Sequence, residues 1–316
     1  MEFINYTYKF RLQPTKNQEI KLSKHFGCVR WVYNCFLDQR IKFHENAKKQ
    51  NSTKKSLDYK NNSKTLTELK TKVEWLNEVN AQALQQSLKH LDVGFKRFYK
   101  KISKFPKFKC CKNKQSFRIP QHIRVKNEKL YIDKFKEGIK INLHRQIDGV
   151  IRNATISKNK AGQYFACIGV QRYIKQLPKS ENQVGVDLGI KILAVCSNGI
   201  EFKNIKPYRK LEKKRKILAK GLSRALKGSK GREKASLKLA KLDNYIHNIR
   251  RDHLHKTSHQ IVSENQTIVM EDLNVSGMIK NRKLSKSIWD CSLSELVRQI
   301  KYKAGWYGRE FLQVSR

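Results

Sequence analysis

Two acidic residues in this 316-residue chain stand where a carboxylate can do chemistry. Asp187 follows the apolar run Val184-Gly185-Val186 and precedes Leu188-Gly189, while Glu271 closes Thr267-Ile268-Val269-Met270. Short apolar runs rich in β-branched residues read as buried strands, so each carboxylate sits at the carboxyl end of one. If those strands are parallel neighbours, the two side chains converge at the edge where open α/β sheets place their ligands. Two hard oxygen donors with room for water and phosphate oxygens suit Mg²⁺ or Mn²⁺. A metal held there would activate water for phosphodiester hydrolysis. A surface aspartate and a helix-capping glutamate would look the same in isolation, so the pair needs support from the rest of the chain. Asp272 falls on the opposite face from Glu271 and reads as structural.

That support begins with charge. The chain carries 69 Lys plus Arg against 26 Asp plus Glu, a net +43, far more than solubility requires. A polyanionic partner is implied, and nucleic acid is the usual one because each neutralised phosphate releases condensed counterions. No apolar run approaches the ~20 residues of a membrane-spanning helix, and the first ten residues lack a signal-peptide pattern, so the expected place is the cytoplasm, at the nucleoid. Seven scattered cysteines without a Cys-x-x-Cys read as free thiols in a reducing compartment. The adjacent pair Cys110-Cys111 is a poor start for a tetrahedral zinc, and no zinc is expected from this chain.

The elements that must position the two carboxylates follow from periodicity. Tyr6 to Leu12 alternates as a strand, meets Pro14-Thr15, and gives way to helical spacing at Phe26, Val29, Tyr33, Phe36, Leu37 and Ile41. Lys48 to Lys64, rich in Asn, Ser and Lys, reads as a mobile loop. A second helix shows a stripe of Leu84, Leu88, Leu91, Phe95, Phe98 and Ile102, with Lys96 and Arg97 on its basic surface. Phe105-Pro106-Lys107-Phe108-Lys109 interleaves aromatics with lysine, as a segment that stacks bases and holds phosphates would, or as an extended linker with buried rings would. Several short alternating runs follow, among them 139–143, 150–156 and 163–170, and suggest a small barrel with the helices inserted between its strands.

After Asp187, Asn198-Gly199 between two short apolar runs is a strong hairpin signal, placing Asp187 on the first strand of a meander. Residues 207–264 read as a helical hairpin broken at Gly228-Ser229-Lys230-Gly231. From Lys203 to Lys256 there are 19 basic and 4 acidic residues, a bias that points to phosphate contact by Lys213, Lys214, Arg215, Lys216, Arg250 and Arg251. The glycine spacing excludes a P-loop, and no second phosphate hairpin supports an actin-like ATPase. Asp290 precedes a helix at 292–304 and reads as a capping or helix-terminal charge rather than a metal ligand.

Taken together, Gly185-Val186-Asp187-Leu188-Gly189-Ile190-Lys191, the His247 to Lys256 run, Glu271-Asp272-Leu273-Asn274-Val275 and Tyr302-Lys303-Ala304-Gly305-Trp306-Tyr307-Gly308 resemble the TnpB (OrfB) family of insertion-sequence transposon proteins. The Lys9 to Thr15 start and the 105–117 stretch are similar to it as well. The resemblance implies a mixed α+β and α/β chain. Residues 1–15 with 104–178 would form a nucleic-acid-binding β-barrel, 16–103 a helical recognition insert, and 179–316 a RuvC-type RNase H-like nuclease domain. It implies a guide RNA and a double-stranded DNA target as partners, and it matches Asp187 and Glu271 to the first two metal ligands. Family members continue into a zinc ribbon and a third catalytic aspartate. This sequence ends at Arg316 before either, so the expectation is a truncated domain with an incomplete metal site and impaired cleavage. The alternative is a nuclease-inactive, RNA-guided DNA-binding protein that acts as a repressor.

Overall fold

A computed structural model describes residues 2–49, 57–112 and 114–315, which divide into two units: residues 5–172, and the remainder. The first unit opens on β1 (Glu2–Gln13) and α1 (Lys16–Lys49). Thr15 and Gln18 form a reciprocal capping box that starts α1: Gln18 N–H donates to Thr15 Oγ1 at 3.3 Å, and Thr15 N–H donates to Gln18 Oε1 at 3.1 Å. Gln18 Nε2 also donates to the Gly138 carbonyl, tying the helix start to a strand. Phe26, Val29, Tyr33, Phe36 and Leu37 are buried along α1, as their spacing predicts, and Ile41 packs against the same core half-buried.

Part of the loop expected over 48–64 is helical: Lys48 and Lys49 end α1, and residues from Tyr59 on form a further helix. Its residues 50–56 lie outside the described residues, but Asp58 accepts from Asn61 N–H at 2.9 Å and starts α2 (Tyr59–Lys72), so a capping aspartate outweighs the polar composition. A 3₁₀ turn and α3 (Ala81–Tyr99) follow, with Leu84, Leu88 and Leu91 fully buried. Each contributes roughly 1.5–3 kcal/mol by burial. Ile102, counted on that stripe, is 63% exposed because α3 ends at Tyr99 and Lys101 turns left-handed.

Strands β2 (Gln115–Ile119), β3 (Arg124–Lys126), β4 (Lys129–Ile132), β5 (Phe135–Asn142), β6 (Val150–Lys158) and β7 (Tyr164–Ile174) join β1 in the order β2-β6-β7-β1-β5-β4-β3. The sheet is open, which corrects the expected barrel. Its apolar residues, such as Phe10, Ile139, Ile156 and Ile168, share one core with α1 and α3, so helices cover the face that closure would otherwise have to bury. The two edges are also poor partners for each other: β3 has three residues, and β2 stops at Pro120, which has no N–H to donate. The helices do lie in sequence between β1 and β2.

The second unit holds a five-stranded sheet. Strands β8 (Gln183–Leu188), β9 (Ile192–Cys196) and β10 (Glu201–Lys203) form an antiparallel meander. Gly199 adopts φ +85° in its second turn, the conformation for which an Asn-Gly pair is suited. Helices α4 (Pro207–Arg224) and α5 (Lys230–Glu264) make the expected hairpin. Ser229 caps α5 by accepting from Arg232 N–H, and the Arg232 guanidinium turns back to donate to Leu222 O and Ala225 O at the end of α4. Then come β11 (Thr267–Glu271), short α6 (Val275–Met278) and α7 (Ser285–Cys291), α8 (Leu293–Tyr307) and β12 (Glu310–Val314). The order is β10-β9-β8-β11-β12, with β11 parallel to both neighbours. Its core joins Val184, Val186, Ile268 and Met270 to Leu254 and Ile261 of α5 and to Leu296 and Ile300 of α8.

Candidate metal centre

The register of β8 against β11 decides where the two carboxylates lie. Val184 pairs with Ile268, Gly185 with Val269 and Val186 with Met270 in a parallel ladder, and the next residues along the two strands are Asp187 and Glu271. Adjacent strands lie about 4.8 Å apart. Val186 and Met270 are buried on the core face, and strand alternation turns the next residue of each strand to the other face. Asp187 is accordingly exposed and Glu271 half-buried. The sequence thus brings both acids to one face of one sheet, at the carboxyl ends of two central strands.

Local structure fixes both positions. After Asp187 the chain must reverse at once, and Gly189 donates its N–H to Leu193 O at 3.3 Å. A Cβ at Gly189 would stand 2.7 Å from Ile192 O, so no side chain fits there. On the other strand, Glu271 ends a ladder paired to Val314 of β12, and Asp272 N–H donates to Val314 O. Asp272 is exposed and accepts from Gln313 Nε2 at 3.4 Å, consistent with a structural part. Asn274 then caps α6 by accepting from Gly277 N–H.

The donor set is two carboxylates, a hard-oxygen pair that fits Mg²⁺ or Mn²⁺ with the remaining positions filled by water and phosphate oxygens. Among the described residues no group of three or more His, Cys, Asp or Glu is assembled around a common point. Asp290 is accounted for elsewhere. It is 4% exposed, and its two oxygens accept from Tyr208 N–H at 3.1 Å and Arg209 N–H at 3.2 Å. It therefore caps α4, not the helix that follows it in sequence, where Ser292 turns left-handed without a side-chain cap. A charged cap on the positive end of α4 fixes how the basic hairpin leaves the sheet.

The cationic residues singled out in the sequence separate into solvent-facing and engaged groups. Lys213 and Lys214 on α4, Arg97 on α3 and Lys107 are exposed. Lys96 is exposed and pairs with Asp92 at 3.0 Å, and Lys216 pairs with Glu212 at 3.1 Å, contacts worth little at a surface. Arg251 is exposed and lies 3.3 Å from His255 Nε2. Three others turn inward. Arg215 holds Asp243 through both nitrogens, and Arg250 lies over the Trp289 ring at 4.3 Å while donating to Trp289 O. Lys109 sits over Tyr33 at 3.7 Å, clamped by two backbone hydrogen bonds with Asn34, and burial pushes its ammonium below the usual lysine range. Of the adjacent aromatics, Phe105 packs edge-on against Phe95 and Phe98, and Phe108 is 53% exposed.

A seven-stranded sheet, a five-stranded mixed sheet and the helices that cover them define a mixed α and β protein. The sequence profile of the family described as "Probable transposase" matches residues 165–282, which include Asp187 and Glu271, and one described as "Helix-turn-helix domain" matches residues 1–49. In the structure residues 2–49 are one strand and one continuous helix. A protein of Streptomyces pristinaespiralis named "Putative RNA-guided DNA endonuclease" is 35% identical over 100% of this chain and 79% of its own. One of Escherichia coli K12, "Putative RNA-guided DNA endonuclease InsQ", is 32% identical over 97% of this chain and 79% of its own. Among solved structures, that of a Cas12f1-sgRNA-target DNA complex shares the fold, with TM-score 0.58 and 14% identity over 99% of this chain and 89% of that one. The chain belongs to the TnpB (OrfB) family of transposon proteins.

Proposed function

We propose that the protein is an RNA-guided DNA endonuclease of the TnpB type, which hydrolyses phosphodiester bonds with Mg²⁺ or Mn²⁺ at Asp187 and Glu271. The observation that carries this reading is the parallel β8–β11 register, which pairs Val186 with Met270 and so supports Asp187 and Glu271, the next residue of each strand, as neighbours on one face. A three-stranded meander followed by two parallel strands is the order expected of a RuvC-type RNase H-like core, which supports a nuclease role for residues 179–316. Residues 1–15 with 104–178 then serve as a nucleic-acid-binding module and 16–103 as its recognition insert. The names of the relatives and the guide RNA and DNA in the Cas12f1 complex support those two partners for this chain. No helix among the described residues is long and apolar enough to cross a membrane, and we place the site of action at cytoplasmic DNA.

Asp187 and Glu271 bring negative charge to one point of an otherwise strongly basic surface, which recruits a divalent cation where phosphates are already attracted. When bound, such an ion lowers the pKa of a coordinated water and offsets charge developing on the phosphate. Exposed Lys213 and Lys214 on α4 supply screened, sequence-independent attraction to the backbone. The test is cleavage of target DNA by purified protein with its cognate RNA and Mg²⁺, compared with Asp187→Ala. Cutting that requires Asp187 supports the assignment. Retention of DNA without cutting in either protein would instead assign a repressor-like binding role.

A further inference from the structure

The second unit contains an aromatic cavity that the carboxylate site does not use. About 450 Å³ in volume, it lies where α4, α5 and α7 meet and has the size of sites for small ligands, ~300–1,000 Å³. Its walls include Tyr208, Ile246 and Trp289, and its rim carries Arg215, Arg250 and Lys286. Trp289 is 51% exposed although it belongs to a helix whose neighbours Ile288 and Cys291 are buried. A surface indole of this kind costs apolar exposure that packing alone would have removed. The ring is nonetheless held in place: Tyr208 meets it edge-on at 5.4 Å, and the Arg250 guanidinium lies over it at 4.3 Å. Asp290 fixes the same corner from below, because it caps α4 through the N–H of Tyr208 itself. Arg215 is in turn held by Asp243 and lies near the Tyr208 ring at 5.7 Å.

A second cavity, about 260 Å³, shares Tyr208 and Lys286 with the first and reaches Ile190 and Lys191, which follow Asp187 by three and four residues. The two cavities are thus neighbours, one lined by the indole and the other by the segment just after β8. Aromatic rings with guanidinium groups at their faces and an ammonium at the rim match one chemistry closely: an unstacked nucleobase on a single strand, its π-face on the rings and its phosphates at the cations. A duplex cannot offer that face, since its bases are already stacked.

We propose that this cavity seats one unpaired nucleobase of a single-stranded nucleic acid, stacked on Trp289 with Tyr208 at its edge, on the same unit as Asp187. The proposal rests on the nucleic-acid reading above and adds to it a strand state and a stacking site.

The test uses the full chain with Trp289 as its sole tryptophan, made by W31F, W75F and W306F, and follows indole fluorescence on titration with a short single-stranded oligonucleotide. Its counterpart is an abasic oligonucleotide of the same length and phosphate count. Base-bearing strand quenches Trp289 and binds about tenfold tighter than the abasic strand, the scale of one base–aromatic stack. If the triple variant does not fold, the difference in quenching between the unaltered chain and W289F gives the same readout. Equal affinity for both strands without quenching at Trp289 overturns the base pocket while leaving phosphate-driven binding intact. No binding of either strand overturns the pocket and the nucleic-acid reading together.

Discussion

Lys303 is a lysine that helix packing forces indoors, and its titration is measurable. It lies on α8 facing α5, is 8% exposed, and donates to His255 O at 2.8 Å and Ser258 Oγ at 2.7 Å. No carboxylate is within ion-pair distance of it among the described residues. Burial lowers its pKa from 10.5 to about 8, and its charge adds to the burial that pushes neighbouring His255 down to about 4. A depression of that size corresponds to a cost of about 3 kcal/mol for keeping the ammonium charged inside. Below pH 8 both folded and unfolded chains hold the proton, and the cost is present in full. Between pH 8 and 10.5 the folded chain releases its proton first while the unfolded chain keeps it, so stability rises with pH through that window. Lys303→Met keeps most of the stem and removes the titration. The stability difference between unaltered chain and variant should shift in favour of the unaltered chain by about 2 kcal/mol between pH 7 and pH 10. Urea unfolding at both pH values measures it, and taking the difference cancels the tyrosines and other lysines that titrate in both proteins. A difference that stays constant across the window would show that Lys303 is solvated and that the α5–α8 contact is looser than described.

Other substitutions probe how the site is built. Asp290→Ala leaves two amides at the start of α4 without their side-chain acceptor and should cost about 1–2 kcal/mol in urea unfolding, with Asp290→Asn recovering part of it; an unchanged midpoint would mean that α4 is not capped this way. Gly189→Ala places a Cβ against Ile192 O and should destabilise by about 1–3 kcal/mol, and a neutral result would show that the turn after Asp187 can relax. Lys213→Glu and Lys214→Glu should weaken DNA binding evenly across sequences and each reduce the logarithmic salt slope by about 1, whereas an unaltered slope would remove α4 from the interface.

The parts of this structure that local sequence governs were legible in it. Asn198-Gly199 marks its turn because few other pairs tolerate that backbone, and the α3 leucines show their buried stripe through spacing alone. Strand ends at Asp187 and Glu271 follow from apolar runs. Contacts across long sequence separations were not legible. Asp290 looked like the cap of the next helix, yet it caps one whose second residue, Tyr208, lies 82 residues earlier. Lys109 looked free for phosphate, but it lies in the irregular segment after α3, where Tyr33 and Asn34 of α1 fold it inward. The open sheet was missed for a related reason: alternation shows that a face is buried without saying whether strands or helices cover it. Trp289 gave no periodic signal, and only the meeting of α4, α5 and α7 makes it part of a cavity.

Whether Asp187 and Glu271 together form a divalent-metal site is decided by Mn²⁺ titration followed by the electron paramagnetic resonance of the free ion. Because Mg²⁺-type sites draw on substrate phosphates, the titration is run with and without bound nucleic acid. Uptake of Mn²⁺ is expected to strengthen with nucleic acid and to be lost in both Asp187→Asn and Glu271→Gln, each folded by circular dichroism. Uptake that persists unchanged in either variant would contradict such a site.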